Sequence, residues 1–124
     1  MIEGANHWPD YIRFRDRFAE AMDPRFYTIE WLDRKIWSGE FRLWANDGAA
    51  IVAEIKEYPT GAREVAIFVA AGIPKEIVKF TGQVEAWGRS CGAIRGDVTS
   101  HPAWGRLLKD RGYEMIQTVL KREL

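Results

Sequence analysis

Three side chains in this sequence are candidates for a general acid or base: Glu54, Glu57 and His101. A carboxylate or an imidazole can move a proton to or from a reacting group when its neighbours shift its pKa toward the working pH. Glu54 and Glu57 fall on a predicted strand, and the simpler interpretation makes them polar residues of a half-exposed sheet face. His101 precedes a predicted short helix, where it could equally cap the helix or lie on the loop surface.

The sequence gives little support for a metal site or for nucleophilic catalysis. The chain has one cysteine, Cys91, and two histidines. One thiol builds neither an intrachain disulfide nor a Cys-based metal site, and no histidines and carboxylates have metal-ligand spacing. Cys91 lies on a predicted helix just before Gly92, which favours a buried packing role. His7 lies in an N-terminal segment that we predict to be flexible.

Composition limits the partners of the chain. Its 124 residues fit one domain, and 18 basic residues balance 18 acidic ones. A neutral chain offers no electrostatic attraction to nucleic acid or an anionic membrane, so neither is an expected partner. It also offers little mutual repulsion, which fits a protein that self-associates or binds another protein. With no signal peptide or apolar run of ~20 residues, the expected location is the cytoplasm, or the virion if a phage encodes the chain.

Hydrophobic periodicity and turn residues predict the order of the elements. We expect helices at 8–22 and 28–38, strands at 41–45, 49–58 and 63–71, a long helix at 74–91, a strand at 93–98, a short helix at 102–110 and a last strand at 113–121. This order predicts one α+β domain with a mixed, mainly antiparallel sheet. Residues 1–38 form its N-terminal helical part and residues 39–124 its sheet core.

Three segments of the sheet core carry a resemblance to a known family. The apolar strand 63–71 runs into a glycine and then a helix. Residues 85–92, EAWGRSCG, are similar to a helix end of the pattern e-x-W-A-r-x-x-G, and residues 107–114, LLKDRGYE, to an L-Y-x-x-x-G-F-x segment before a final strand. In this order and spacing they resemble the GNAT superfamily, the acetyl-CoA-dependent N-acyltransferases. The chain also resembles short GNAT-like proteins of tailed bacteriophages and prophages, some of which accompany virion genes.

The resemblance fails at the positions that carry the family's chemistry. Active members hold the coenzyme A pyrophosphate with an R/Q-x-x-G-x-G/A loop, whose backbone N–H groups lie at a helix N-terminus. The three matching positions are Gly72, Lys75 and Ile77, and none fits; side chains at Lys75 and Ile77 would crowd the phosphates, although Lys75 could pair with one. The family's proton-donating tyrosine corresponds to Leu108, and Tyr113 matches a packing aromatic. We therefore expect no cofactor.

These observations support two main hypotheses of function. The first is a GNAT-like accessory or interaction protein, of phage or prophage origin, that lacks standard acetyl transfer. The second is an acetyl-CoA-dependent N-acetyltransferase with an atypical pyrophosphate loop. In that case, the resemblance implies that the backbone of Val69, Ala70 and Ala71 holds the pantetheine and that residues 72–77 face the phosphates. A toxin or immunity partner on the same scaffold is a third alternative.

Tryptophan supplies the sequence signal for a partner surface. The chain has six Trp residues. Trp37 and Trp44 fall off the main apolar faces of their predicted elements. An exposed indole is typical of a contact surface, although both rings could also pack beneath the N-terminal helices.

Overall fold

The computed structural model describes residues 3–100 and 103–124. A 3-10 helix, Glu3–His7, leads into the ordered elements of the domain. They are α1 (Trp8–Ala21), α2 (Ile29–Ser38), β1 (Arg42–Ala45), β2 (Ala49–Glu57), β3 (Arg63–Gly72), α3 (Pro74–Lys79), α4 (Thr81–Ser90), β4 (Ala93–Val98), α5 (Ala103–Leu108) and a 3-10 turn (Lys109–Arg111). None of the helices within the described residues is long and apolar enough to cross a membrane.

The two N-terminal helices form where the periodicity predicts them. Helix α1 buries one stripe of aromatic residues, Tyr11, Phe14 and Phe18. Helix α2 begins at Thr28, whose side chain accepts a hydrogen bond from the Trp31 amide, and ends at Gly39 in the left-handed region, φ 82°. Both ends use the residue types that satisfy unpaired backbone groups at helix termini.

The segment before α1, where the sequence predicts a flexible N-terminus around His7, forms the 3-10 helix Glu3–His7. The 3-10 helix packs on the end of α2, and a Cβ at Gly4 would lie 1.8 Å from the carbonyl oxygen of Ile36. Only glycine permits such an approach of two backbones. This contact holds the N-terminal segment against the domain.

The four strands form one mixed sheet in the order β1-β2-β3-β4, with two antiparallel pairs and a parallel pair between β3 and β4. Helices α1 and α2 cover one face, where Phe18, Leu32 and Val52 belong to one core cluster. Helices α3 and α4 cover the other face around Ile51 and Val84. The predicted α+β class, with a mainly antiparallel mixed sheet and two N-terminal helices, is confirmed.

The predicted long helix at 74–91 is divided into α3 and α4. The Thr81 hydroxyl donates to the Val78 carbonyl at 2.8 Å, and the Phe80 amide donates to Ile77 three residues back. A threonine hydroxyl that bonds back to the preceding turn competes with the helical ladder and bends the helix. The stripe through Ile77, Phe80 and Val84 is buried as predicted.

The predicted last strand at 113–121 does not form; residues 113–124, named here the tail, lie within the described part of the chain and have no regular secondary structure. The hydroxyl of Tyr113 donates to Glu85 on α4 at 3.0 Å, which fixes the start of the tail. The tail and β4 line one cavity. A strand needs a paired neighbour to satisfy its backbone, and within the described residues the sheet ends at β4.

Candidate functional site

The strands β3 and β4 part at one end of the sheet and leave a crevice, named here the fork. Their pairing ends at Ile67 and Val98. Among the described residues, 68–72 continue β3 with a strand partner, β2, on one side alone. A cavity of about 90 Å³ lies in the fork, and its described lining includes Trp104 and Leu108 of α5. Val98, Trp104 and Leu108 also line a larger cavity of about 850 Å³ beside β4, so the space at this end of the sheet extends beyond the fork itself.

The backbone of β3 presents polar groups to the fork in alternation. The Ile73 amide donates to the Gly48 carbonyl at 3.0 Å. In an antiparallel ladder this bond makes the neighbouring pair of Gly72 and Ala49 a non-hydrogen-bonded pair. Residues two apart share a direction, so Ala70 and Gly72 turn their amide and carbonyl groups away from β2 and toward the fork.

Three residues were predicted to hold a pantetheine if the chain is an enzyme: Val69, Ala70 and Ala71. By the same alternation, Val69 and Ala71 direct their backbone groups to β2, opposite Val52 and Ala50. Within this predicted trio, Ala70 alone offers its backbone to the fork. The structure thus brings one of the three into a position to pair with an extended ligand.

The loop from β3 to α3 uses most of its own N–H groups. The Ile73 amide is bonded to Gly48, Pro74 has no N–H, and the amides of Glu76 and Ile77 both donate to the Ile73 carbonyl, at 2.9 and 3.0 Å. Helix α3 has six residues, too few for a strong dipole. Four of the five positions at 73–77 therefore have no N–H to give to a phosphate.

The side chains of this loop also differ from the predicted arrangement. Ile77 is only 5 % exposed and packs in the core beneath α3, so the prediction that it crowds the phosphates is wrong. Lys75 is exposed to solvent. Glu76 accepts hydrogen bonds from Lys79 at 2.8 Å and Asn46 at 3.1 Å. The bond from Lys79 lowers the pKa of the Glu76 carboxyl, so this carboxylate beside the loop is ionised and paired with Lys79.

Leu108 occupies the position that corresponds to the family's proton donor. It is 4 % exposed and lines the fork. A leucine has no proton to give. Tyr113, the neighbouring phenol in sequence, is committed to Glu85, and burial raises its pKa well above the ordinary value. A departing thiolate in the fork would therefore have no side-chain acid at Leu108 or Tyr113.

A row of charged residues crosses the sheet below the fork. Glu64 of β3 is 3 % exposed, accepts a hydrogen bond from the Tyr58 hydroxyl at 2.7 Å, and forms an ion pair with Arg95 of β4. Lys56 and Asp97 form a longer pair at 4.0 Å. Sequence reasoning missed Glu64, although a single carboxylate inside the apolar run 63–71 is a signal of a buried, paired charge.

Glu54 and Glu57, two of the candidate bases, differ in burial. Glu54 pairs in register with Ala66, one position from the end of the β3–β4 pairing. Burial raises its pKa, the direction that a general base needs. Glu57 is exposed at the end of β2, 3.6 Å from Arg63. His101 lies outside the described residues.

The buried Glu64 makes a prediction about acid stability. Burial by itself raises the pKa of Glu64, but the hydrogen bonds from Tyr58 and Arg95 outweigh it, and the net pKa is lowered from 4.5. The unfolded chain then binds a proton at a higher pH than the folded chain does. The free energy of unfolding should fall as the pH drops below about 5 toward the folded pKa.

Glu64→Gln should lower the free energy of unfolding by about 2 kcal/mol at neutral pH and flatten this acid slope. The matched change Glu57→Gln, on an exposed side chain, should leave the slope unchanged. Urea unfolding followed by circular dichroism at several pH values measures both. Equal slopes for wild type and Glu64→Gln would contradict the role given to Glu64.

The two tryptophans predicted to mark a partner surface lie on different sides of the sheet. Trp37 is 42 % exposed and contacts Trp8 edge to face, with ring centroids 5.2 Å apart. Trp44 packs against Trp87 of α4 at 5.5 Å. They therefore do not form one continuous surface. Within residues 3–100 and 103–124, no three His, Cys, Asp or Glu side chains are grouped to hold a metal ion.

Comparison with known proteins identifies the fold. No protein-family model matches the chain, and no curated protein is significantly similar to it in sequence. Among solved structures, a predicted acetyltransferase with acetyl-CoA from Clostridium acetobutylicum is similar, with a TM-score of 0.67 and 11 % identity over 95 % of this chain and 90 % of that one. An aminoglycoside N-acetyltransferase in complex with CoA has a TM-score of 0.62 and 13 % identity, covering 96 % and 93 %.

A third similar structure is glucosamine-6-phosphate N-acetyltransferase from Arabidopsis thaliana, with a TM-score of 0.61 and 10 % identity over 89 % of this chain and 88 % of that one. These neighbours are GNAT acetyltransferases, and this chain has the GNAT fold. At such low identity the likeness concerns the fold.

Proposed function

We propose that this chain is a GNAT-like domain that does not carry out acetyl transfer and acts instead by binding another protein chain. The loop at the start of α3 carries the proposal. Three of its amides are bonded to Gly48 or Ile73 within the chain, and Pro74 has none. A pyrophosphate there would meet the amides of Gly72 and Lys75 and the Glu76 carboxylate, which is paired with Lys79. Anion binding at a helix start depends on several free N–H groups, so this loop lacks the basis of it.

The fork supports the same conclusion. The residue at the donor position, Leu108, supplies no acid. An enzyme on this scaffold would need both a held cofactor and a way to protonate the departing thiolate. The composition fits an interaction role, because the chain has no net charge to keep copies or partners apart.

A second candidate is an acetyl-CoA-dependent N-acetyltransferase that holds its cofactor in an atypical way. Ala70 offers its backbone to the fork. Glu54, which lies near the fork, has the raised pKa of a candidate base. Two of the similar structures contain acetyl-CoA or CoA. In this candidate, Ala70 would pair with the pantetheine, and Lys75 would supply a charge to a phosphate.

Thermal unfolding with acetyl-CoA separates the two candidates. A ligand that binds only the folded state with a Kd near 10 µM adds about 2.7 kcal/mol at 1 mM ligand, enough to raise the melting temperature by about 10 °C. We expect no rise for this chain, since its loop has no cradle for the pyrophosphate. A control with ATP, which also carries an adenine and phosphates, detects non-specific binding. A rise with acetyl-CoA alone would contradict the first candidate and support the second.

The phage or prophage origin suggested by the sequence resemblance belongs to the same proposal. A gene that lies among virion genes would support an accessory role in the particle. A gene that lies beside those of amine metabolism would instead favour the enzyme.

A further inference from the structure

The tail is fastened to the domain near both of its ends and lines an open space between them. At its start, Tyr113 is bonded to Glu85 of α4. Near its far end, Glu123 forms an ion pair with Arg25, which lies between α1 and α2. Between these contacts, the tail and β4 line the cavity of about 850 Å³. We propose that the tail is a strap over this cavity, kept closed by a releasable ionic cluster of Asp23, Arg25 and Glu123, named here the clasp.

The start of the tail is a packed anchor. The Tyr113 ring lies over the bare backbone of β4, since a Cβ at Gly96 would be 3.0 Å from the Tyr113 hydroxyl oxygen and 3.6 Å from the ring. The hydroxyl donates to Glu85 at 3.0 Å in a partly buried bond. The methyl group of Met115 lies 3.4 Å from the position of a Cβ at Gly105 of α5. Packing and a partly buried hydrogen bond therefore hold this end, and salt in the solvent weakens neither strongly.

The span that follows the anchor has few contacts of its own. Within the described residues, no hydrogen bond or ion pair joins residues 114–122 to the rest of the domain. Its apolar side chains do not supply the missing contacts, because Ile116 is 66 % exposed, Val119 59 % and Leu120 89 %. Segments with few buried apolar contacts open locally at little cost in free energy. The position of this span therefore depends on how its far end is held.

Arg25 holds the far end with two edges of its guanidinium. On one edge, Nη1 and Nη2 donate to the two carboxylate oxygens of Glu123 at 2.5 and 2.9 Å. On the other edge, Nε and Nη2 donate to the Asp23 carboxylate, at 3.1 and 2.6 Å. Exposed ion pairs are usually weak, but bidentate geometry and a network of several charges are the conditions under which they stabilise a contact. The clasp meets both conditions.

The domain side of the clasp is formed without the tail. Asp23 and Arg25 belong to the same α1–α2 connection, and the Arg25 backbone amide also donates to Asp23 at 3.0 Å. The guanidinium lies over the Phe26 ring, 5.3 Å from its centroid. These local contacts orient the Arg25 side chain, so that little of its rotamer freedom is lost when Glu123 binds. The tail can therefore leave and return to a receptor that keeps its shape.

The clasp is also placed where it can be released. The side chains of Arg25 and Glu123 are 56 % and 79 % exposed, so water and dissolved ions reach both partners. Salt screens such exposed charges strongly and leaves the packed anchor at Tyr113 in place. The cavity beneath the strap is in the size range of ligand pockets, and its lining includes Glu64, Arg95 and Trp104. Release of the clasp thus opens access to these side chains while the tail stays attached at its start.

Nuclear magnetic resonance relaxation of the ¹⁵N-labelled chain tests the clasp. In wild type, the Glu123 amide should have an order parameter of about 0.8, near that of rigid backbone, and Arg25→Glu should lower it below about 0.6. The double variant, Arg25→Glu with Glu123→Arg, restores opposite charges and should return the order parameter toward wild type. Arg13→Glu makes the same charge change on α1, where Arg13 is exposed and paired with Asp10, and is the matched control without effect.

A soluble paramagnetic chelate measures whether the strap covers the cavity. The chelate speeds the relaxation of amide protons that solvent reaches, and in Arg25→Glu the amides of β4 should relax about twice as fast as in wild type. Salt gives an independent control, because it acts on exposed charges and not on packing. Raising the salt from about 0.05 M to 0.5 M should loosen Glu123 in wild type and leave Tyr113 rigid. In Arg25→Glu, which has no clasp to screen, the same salt should change neither residue.

Three results would each overturn the proposal: a Glu123 amide that is already mobile in wild type at low salt, a double variant as mobile as Arg25→Glu, or a freed tail that leaves the relaxation of β4 unchanged. The substituted positions are exposed, and circular dichroism checks that the variants stay folded. The strap does not depend on the function proposed above. Its test uses the chain alone, without acetyl-CoA or a partner, so either proposal can fail while the other stands.

Discussion

Replacing Gly72 by alanine is expected to lower the free energy of unfolding by about 3 kcal/mol. Gly72 ends β3 with φ +107°, a region that side chains rarely adopt, and a Cβ there would lie 2.2 Å from the carbonyl oxygen of Gly48 and 2.6 Å from the Cα of Ala49. The Ile73 amide is bonded to Gly48, so the two backbones cannot separate without losing that bond. The backbone strain at positive φ and the steric overlap of the added Cβ therefore both lower the free energy of unfolding.

Gly61→Ala is the matched control. Gly61 also has a positive φ, +85°, but no atom lies within 4 Å of the position of its Cβ. Gly61→Ala should lower the free energy of unfolding by about 1 kcal/mol, from the backbone strain of a positive φ alone. Urea unfolding of both variants gives the difference between the two losses of stability. This difference is the cost of the steric overlap at Gly72. Equal losses would mean that the approach of Gly72 to β2 is not held as described.

Tyr11→Ala is expected to cost about 4 kcal/mol, because it empties a fully buried ring position in the core beneath α1. The Tyr11 ring contacts Trp8 at 5.1 Å and Phe18 at 6.0 Å between centroids. Its hydroxyl donates to Asp33 of α2 at 2.6 Å. One side chain thus joins the packing of α1 to the polar contact between the two helices.

Tyr11→Phe separates these two contributions. It keeps the ring and removes the hydroxyl, and Asp33 retains two hydrogen bonds from Arg15, at 2.8 and 2.7 Å. The loss should be about 1 kcal/mol. Chemical unfolding of both variants measures the ratio of their losses in the free energy of unfolding. A loss for Tyr11→Phe as large as that for Tyr11→Ala would show that the hydrogen bond, and not packing, joins the helices.

Periodicity predicted the parts of the fold whose contacts are local or repeat regularly. The stripe of Tyr11, Phe14 and Phe18 identified α1, and Asn46-Asp47-Gly48 identified the β1–β2 hairpin, since the Asn46 side chain accepts from the amides of Gly48 and Ala49. Such signals lie within a few residues of the structure that they specify.

The features that sequence reasoning missed depend on distant partners. The tail has the composition of a strand, but whether it becomes one depends on a neighbour for its backbone. Gly4 gave no local signal, because its close contact is with Ile36, far along the chain. The buried state of Glu64 depends on Arg95 from another strand. Ile77 shows a conflict between two signals: the helical stripe placed it in the core, alignment placed it in the loop, and the stripe was right.

The central claim concerns the backbone of the loop between β3 and α3. In this chain the GNAT fold is kept, while the amides of Ile73, Glu76 and Ile77 are bonded within the protein and Pro74 has no N–H, which leaves the amides of Gly72 and Lys75. The Glu76 carboxylate next to them is paired with Lys79. The scaffold and the chemistry of the site are thus separable, because the core residues that build the sheet differ from those that would hold a cofactor.

The most direct test follows the backbone amides of this loop by nuclear magnetic resonance while acetyl-CoA is added to ¹⁵N-labelled protein. We expect the resonances of Ala70, Gly72 and Lys75 to stay in place up to about 1 mM ligand, a concentration that half-saturates a site worth about 4 kcal/mol. Saturable shifts at these residues with a micromolar Kd would contradict the account and establish a working coenzyme A site in the fork.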